Sequence, residues 1–222
     1  MRLEWYGQSA FRLTDGETTV FIDPFDDLSP LSTRGMRWDY PAIAGVRADL
    51  LLVTHEHLDH NGIGAIGGDP VVLRSTAGTH ESPVGHVLGI ASEHDDAAGT
   101  QRGPNTLFVF TLGGTRIAHL GDLGQSALRD AQLAALGAVD VLLVPVGGGP
   151  TIGAEQARTI VDQVHARIVV PAHYRTERID FLEPIDDFAA RFARVHRPGT
   201  PTFDLDELDD GDGPLLVAPA AP

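Results

Sequence analysis

Short apolar runs, separated by glycine, proline and aspartate, set the pattern of this chain. Runs of this length between turn-forming residues predict β-strands rather than helices. The run Leu50–Val53 has no polar position, which predicts a strand buried on both faces. The predicted strands are Arg2–Tyr6, Ala10–Leu13, Thr18–Ile22, Leu50–Val53, Val71–Leu73, Leu107–Leu112, Arg116–Leu120, Val139–Val144 and Ile168–Val170.

Turn residues connect several of these strands. Asp15-Gly16 and Gly113-Gly114 each lie between two runs, and such dipeptides favour tight hairpin turns because glycine tolerates positive φ. The first part of the chain is therefore expected to consist mainly of hairpins.

Helical periodicity is confined to the second half of the chain. From Thr151 to His165, apolar residues recur every three or four positions, which predicts a helix with one buried stripe. Thr151 is the expected N-cap of this helix. The segments Ser126–Leu136 and Pro184–Val195 show a similar pattern.

Hairpins followed by alternating strands and helices indicate a layered α/β protein, with helices outside packed sheets. No repeat or linker divides the chain, so residues 1–222 are expected to form a single domain.

Two segments lack periodicity. A loop as long as Pro24–Pro41 is usually either functional or disordered, and the acidic segment Phe203–Gly213 is expected to be solvated rather than a functional tail.

Composition excludes several kinds of chemistry. The formal net charge is −15 and no cysteine is present. All the basic residues are arginine, so phosphate-binding and Schiff-base lysines are excluded. An acidic chain repels nucleic acid, and no apolar stretch approaches the length of a membrane span. We therefore expect a cytoplasmic protein that binds neither nucleic acid nor membrane; assembly of identical copies stays open.

The densest chemical signal follows the strand Leu50–Val53, in the sequence Thr54-His-Glu-His-Leu-Asp-His60. Side chains two apart in extended backbone point the same way, so His55 and His57 can converge on one cation. A turn after them would direct Asp59 and His60 to a second cation. Imidazole and carboxylate ligands suit zinc, manganese, iron or nickel.

Further candidate ligands follow other predicted strands. Asp122 follows the strand Arg116–Leu120, and His173 follows Ile168–Val170. His94 comes after the apolar run Val87–Ile90 and would complete the shell of the first metal.

This series of motifs resembles the metallo-β-lactamase superfamily. The similarity lies in T-H-x-H-x-D-H, a later histidine, Gly121-Asp122, and a histidine after the final strand. Trp5–Phe11, Ile22-Asp23-Pro24 and Val170–Tyr174 are similar to one branch, which contains the ascorbate-6-phosphate lactonase-like hydrolases and, more distantly, the N-acyl-phosphatidylethanolamine phospholipase D type. The resemblance covers about residues 1–174.

The resemblance implies a four-layer αββα sandwich of the α/β (α+β) class, with two divalent metal ions at one edge. Zinc is the first expectation, with manganese, iron or nickel as alternatives. Asp23 would orient the histidine loop, and Thr54 and His119 are expected beside it. Gln8 departs from the pattern, because many relatives have histidine there. The implied ligands are His55, His57 and His94 for the first metal, Asp59, His60 and His173 for the second, and Asp122 between the two.

The predicted function is that of a dinuclear hydrolase, in which metal-activated hydroxide attacks a small ester, lactone or phosphoester. Asp59 and Asp122 are the expected catalytic carboxylates, Asp59 by orienting the nucleophile. A non-catalytic metal-binding protein with a sensor or structural role is the alternative. The candidate substrate-binding residues are Arg34, Arg37, Trp38 and Tyr174, with simple charge balance as the competing interpretation of the arginines.

Overall fold

The computed structural model describes residues 1–28, 31, 33, 35–208 and 211–222. Its regular structure is mostly β-sheet. The strands are β1 (Arg2–Gly7), β2 (Ala10–Thr14), β3 (Thr19–Ile22), β4 (Val46–Arg47), β5 (Leu50–Val53), β6 (Ile66–Gly67), β7 (Val71–Arg74), β8 (Gly78–Ser82), β9 (Gly85–Glu93), β10 (Pro104–Leu112), β11 (Thr115–His119), β12 (Val141–Pro145), β13 (Ile168–Ala172), β14 (Arg194–His196), β15 (Thr202–Asp204) and β16 (Leu215–Val217).

Two large sheets form the body of the protein. The six-stranded sheet has the order β15-β1-β2-β3-β5-β7, and the eight-stranded sheet has the order β14-β16-β13-β12-β11-β10-β9-β8. Both change from antiparallel to parallel pairing: at β3 and β5 in the first sheet, and at β11 and β12 in the second. The carboxyl ends of β5, β12 and β13 therefore lie in parallel parts of their sheets, where loops can bring side chains together.

The inner faces of the two sheets share one hydrophobic core. Trp5 and Phe11 from the six-stranded sheet pack in the same buried cluster as Phe108 and Phe110 from the eight-stranded sheet. Burial alternates along β1, as expected for a strand with one face on the core. All four residues of β5 are buried, which confirms that this strand is covered on both faces.

Among the described residues, the α-helices are α1 (Asp130–Leu136), α2 (Ala154–Val164) and α3 (Asp186–Ala189), and short 3-10 helices span Ile63–Ala65 and Leu205–Glu207. The predicted stripe of α2 is buried, and this helix contacts β12 while α1 contacts β9. Helices thus cover the eight-stranded sheet. The part of the chain that is described has no helix of the length and apolarity that crossing a membrane would require.

The outer face of the six-stranded sheet is covered differently. Phe21 and Leu51 point away from the central core and join a second cluster with Phe25, Tyr40 and Ile43. Among the described residues, this cluster contains no α-helical residue. The predicted sandwich class is confirmed, and irregular chain forms much of this outer layer.

All nine predicted strands are present, with ends shifted by at most a few residues. The two predicted hairpin turns also form. In the first, Asp15 Oδ1 accepts the backbone N–H groups of Glu17 and Thr18 at 3.0 and 2.8 Å. In the second, Gly113 and Gly114 both adopt positive φ.

The predicted helix boundaries need correction. The N-cap of α2 is Gly153, not Thr151, whose hydroxyl instead donates to the carbonyl of Gly148. Helix α1 begins at Asp130 rather than Ser126. The predicted helix Pro184–Val195 is reduced to α3, because the chain then extends into β14, which pairs with β16.

The acidic segment Phe203–Gly213 is only partly solvated. Its first residues belong to β15, which pairs with β1 at the edge of the six-stranded sheet. Phe203 and Leu205 are buried, while Asp204 pairs with Arg2 at 3.2 Å. Asp209 and Asp210 lie outside the described residues. Alternating apolar residues within the acidic run therefore anchor it to the sheet.

A close backbone crossing in the eight-stranded sheet generates a stability prediction. A Cβ atom at Gly89 would lie 2.0 Å from the carbonyl oxygen of Thr76, in the segment that joins β7 to β8. We expect Gly89→Ala to lower the free energy of unfolding by about 1–3 kcal/mol, because backbone must move to admit the methyl group. Urea denaturation measures this change. Gly64→Ala is the control, since nothing lies within 4 Å of its Cβ position; equal stability of both variants would contradict the expectation.

Candidate metal centre

The histidine loop begins where β5 ends. The N–H of Thr54 donates to Asp23 Oδ1 at 2.8 Å, and its hydroxyl donates to Asp23 Oδ2 at 2.7 Å. The loop then turns back on itself, because the N–H of His60 donates to the carbonyl of His57 at 3.0 Å. The strand end and this turn together give the loop a fixed shape.

The first group of candidate ligands consists of His55, His57 and His94. One nitrogen from each ring can face the others, with all three ligand atoms within 4.8 Å of one another. His55 Nε2 lies 3.0 Å from His57 Nδ1. His94, at the end of β9, packs against both rings with centroid distances of 4.8 and 4.9 Å. The structure therefore brings together the three residues predicted for the first metal.

The second group consists of Asp59, His60, Asp122 and His173, again with ligand atoms within 4.8 Å of one another. His60 Nε2 lies 3.6 Å from Asp59 Oδ2, and His173 Nε2 lies 3.7 Å from the same oxygen. These residues come from the histidine loop and from the ends of β11 and β13, so three distant parts of the sequence meet here.

Asp122 lies between the two groups. Its Oδ2 is 3.2 Å from His94 Nε2 and 3.3 Å from His173 Nε2. Its Oδ1 is 3.2 Å from His60 Nε2. One carboxylate therefore faces imidazoles of both groups, which is the arrangement needed to bridge two cations.

Glycine at position 121 allows Asp122 to reach this place. A Cβ atom there would lie 2.5 Å from Asn105 Oδ1 and 2.7 Å from the side chain of Thr54, and the backbone has a φ of 54°. Only glycine accepts both the conformation and the close contact without displacing neighbours.

Asp23 supports the cluster from behind. Besides both bonds from Thr54, its Oδ2 accepts His60 Nδ1–H at 2.9 Å and His119 Nε2–H at 3.0 Å. The bond from His60 Nδ1 leaves Nε2 of that ring directed to Asp59 and Asp122. Asp23, Thr54 and His119 thus lie together behind the histidine loop, and their supporting role stays a prediction.

The neighbouring histidines keep the buried carboxylates ionised. Burial alone raises the pKa of Asp122, but His173 and His60 lower it more, so the net pKa is well below the usual range. Burial also opposes ionisation of Asp59, yet the charge of His60 and a hydrogen bond from His173 lower its pKa to about 2. Both side chains therefore offer anionic oxygens at neutral pH.

The imidazoles divide into two kinds. Burial lowers the pKa of His55 to about 3, and burial followed by the proximity of His94 lowers the pKa of His57. His60 differs, because Asp122, Asp59 and Asp23 outweigh burial and raise its pKa well above the usual value. Neutral His55 and His57 have lone pairs ready for a metal, whereas binding at His60 would release a proton.

This donor set fits divalent cations. Neutral imidazole and ionised carboxylate are ligands that zinc and similar metals prefer. A cation would also compensate the like charges that the buried carboxylates place close together. His55, His57 and His94 would hold one cation, and Asp59, His60 and His173 the other, with Asp122 shared.

Unusual backbone conformations concentrate at this edge. Six non-glycine residues in the described part of the chain have positive φ, and three of them, Gln8, Asp23 and His173, belong to or border the centre. Gly147 also contributes, since a Cβ there would lie 2.1 Å from the carbonyl oxygen of His173. Strained conformations of this kind persist where surrounding contacts impose them, and they are frequent at functional sites.

The candidate substrate-binding residues do not form one group. Arg34 lies outside the described residues. Arg37 is exposed, and Trp38 packs edge-on against Phe25, 5.2 Å between centroids. Tyr174 is buried and stacks on Trp5, so its ring belongs to the core rather than to an open surface. A role in substrate binding stays a prediction for these residues.

Asn105 is a supporting residue that the sequence did not reveal. Its side chain donates to Ser92 Oγ and to the carbonyl of Leu120, and it accepts the N–H of Asp122 at 3.2 Å. A single asparagine inside an apolar strand gives no local signal, because its partners are distant in the sequence. Ser9, 3.4 Å from Asp122 Oδ1, lies within a motif that the sequence analysis had singled out.

With this geometry established, comparison with known proteins identifies the class. A family model described as the beta-lactamase superfamily domain matches residues 2–173. A metal-dependent hydrolase of the UPF0173 family from Thermus thermophilus is 31% identical over 198 residues, covering 79% of this chain and 84% of that protein. A UPF0173 protein from Pyrococcus furiosus is 33% identical over 193 residues, with the same coverages.

A solved structure agrees with these matches over the whole chain. It is that of a Thermotoga maritima protein named as a Zn-dependent hydrolase of the metallo-beta-lactamase superfamily, with a TM-score of 0.78 and 30% identity. The match covers 100% of this chain and 99% of that one. The chain therefore belongs to the beta-lactamase superfamily and, within it, to the UPF0173 family. The predicted superfamily is confirmed, whereas the lactonase-like branch stays a prediction.

The support from Asp23 can be tested directly. Asp23→Asn replaces one acceptor oxygen by an amide group that faces donors, so His60 loses its fixed orientation. We expect the affinity for Zn²⁺ to fall by about 10- to 100-fold, the usual effect of losing such a partner. Isothermal titration calorimetry measures the affinity. Asp69→Asn, at an exposed position, is the control; wild-type affinity in Asp23→Asn would refute the supporting role.

Proposed function

We propose that this chain is a dinuclear metal-dependent hydrolase that acts on a small ester, lactone or phosphoester. The observation that carries the proposal is the pair of adjacent ligand groups that share Asp122. The name of the Thermus thermophilus relative, a metal-dependent hydrolase, supports the same class. Zinc is the first candidate metal, because the Thermotoga maritima neighbour is named as Zn-dependent and the ligands suit this ion.

Divalent cations held by these ligands would supply Lewis acidity, which polarises a carbonyl or phosphoryl group of the substrate and lowers the pKa of bound water to about 7. The protein's own contribution is to fix the ligands and leave one side open. His57 is exposed and the side chain of Asp59 is 25% exposed, whereas the other candidate ligands are buried. Asp59 is therefore placed to accept a hydrogen bond from an attacking water and to orient it.

A cavity beside the cluster supports a small-molecule substrate. Its volume is about 550 Å³, within the range of small-molecule sites, and His94 forms part of its wall. The loop Gly148–Gly153 and the first residues of α2 also line it, together with Arg102 and Arg191. A substrate in this cavity would lie next to the first ligand group, with polar groups available to hold it.

Metal analysis combined with a substrate screen tests the proposal. We expect two cations per chain and measurable hydrolysis of at least one of nitrophenyl esters, lactones and bis-nitrophenyl phosphate. Metal removal by a chelator should abolish the activity, and added Zn²⁺ or Mn²⁺ should restore it. Two bound cations without hydrolysis of any substrate would favour a sensor or structural role instead.

Removing single ligands provides a second test. Asp122→Ala deletes the carboxylate that faces both groups, and His57→Ala deletes an exposed ligand of the first group. Both variants are expected to lose turnover, Asp122→Ala with loss of both cations and His57→Ala with loss of the first. Metal content and initial rates are the measurements. His86→Ala, at an exposed position of β9, serves as the control; full activity in Asp122→Ala would refute the assignment.

A further inference from the structure

Gln8 is a buried polar residue whose side chain has no partner. It is 0% exposed, and neither Oε1 nor Nε2 forms a hydrogen bond within the described part of the chain. Its backbone adopts a φ of 47°, which is unfavourable for a residue with a side chain. A glutamine amide has two donors and an acceptor oxygen, so burial without partners destabilises the fold.

The backbone of Gln8 is tied to the metal centre. Its carbonyl accepts the N–H of His173 at 3.1 Å and the indole N–H of Trp5 at 2.9 Å. The next residue, Ser9, places its hydroxyl 3.4 Å from Asp122 Oδ1. Gln8 therefore borders two members of the second ligand group, which explains why its unusual conformation is imposed.

His173 has a matching unsatisfied atom. Its Nε2 faces Asp122 and Asp59 at 3.3 and 3.7 Å, so Nδ1 lies on the side of the ring turned away from those carboxylates. This Nδ1 is buried and has no partner among the described residues. Histidine ligands normally donate their other ring N–H to a carboxylate, a carbonyl or water, which fixes the tautomer and the ring orientation.

We propose that Gln8 is a positioning residue for His173. In the metal-loaded protein, His173 Nδ1–H donates to one bridging water, and this water donates to the amide oxygen of Gln8. Buried waters commonly join polar groups that would otherwise be unsatisfied. The bond holds the proton on Nδ1 and leaves the Nε2 lone pair for the second cation. This inference rests on the proposed function, since it requires a metal at the second group.

Gln8→Met tests the proposal, because methionine has a similar length and no hydrogen-bonding amide. We expect the second Zn²⁺ to bind about 10- to 100-fold more weakly, with the affinity for the first unchanged. The metal-free variant should unfold at a temperature no lower than wild type, since an unsatisfied amide is replaced by an apolar group. Calorimetric titration and thermal unfolding provide the two readouts, and neither depends on turnover.

Gln132 provides a matched control. It is also buried, but its amide is fully engaged, donating to the carbonyl of Ala91 at 2.8 Å and accepting the N–H of Arg129 at 2.9 Å. Gln132→Met should lower the unfolding temperature and leave both metal affinities unchanged. The two variants are thus expected to show opposite patterns of stability and metal affinity.

Wild-type affinity for both cations in Gln8→Met would overturn the proposal, and so would an equal loss at both sites. If that variant does not fold, NMR of the zinc-loaded wild-type protein tests the proposal instead. A slowly exchanging proton on Nδ1 of His173 supports the proposal, and protonation on Nε2 overturns it. If the wild type itself binds fewer than two cations, the dinuclear function fails as well, whereas loss of the Gln8 effect alone leaves that function intact.

Discussion

The candidate metal centre depends on the hydrogen bonds that the buried carboxylate of Asp23 accepts. Asp23 follows β3, receives hydrogen bonds from the residues after β5, and reaches His119 on β11 of the opposite sheet. One charged group therefore links both sheets of the sandwich at the edge where the candidate ligands meet. Although burial opposes its charge, His60 and His119 lower its pKa far below the usual value, so the carboxylate stays ionised and accepts all these bonds.

The cluster that Asp23 supports holds ionised groups close together in a buried place, which is unfavourable when no cation is bound. Asp59 and Asp122 are ionised beside several imidazoles, and the raised pKa of His60 shows that the anionic charge is balanced by a proton there. Metal binding at His60 would therefore be coupled to the release of this proton. A bound cation would also stabilise the folded chain, because the unfolded chain has no preformed site.

The sequence predicted the parts of this protein whose signals are local. The strands and the clustering of candidate ligands after them could be predicted because short apolar runs and the spacing of His55–His60 are local signals. The helix ends could not be predicted: the helix expected over Pro184–Val195 is reduced to α3 because tertiary pairing of Arg194–His196 with β16 overrides the helical pattern. Asn105 escaped notice for the same reason: its role arises from contacts with Leu120 and Asp122 that only the folded sheet creates.

The candidate ligands and the cavity wall lie on different kinds of structure. This difference explains why the metal chemistry is easier to infer from the sequence than the substrate. The ligands follow strands at the edge of the sandwich, where pairing and close glycine contacts fix the backbone, as at Gly121 and Gly147. The cavity wall instead consists largely of loop residues around Gly148–Gly153 and of exposed arginines such as Arg191. Loops of this kind accept changes in length and sequence without disturbing the core. Changes in these loops are therefore compatible with an unchanged cluster of candidate ligands.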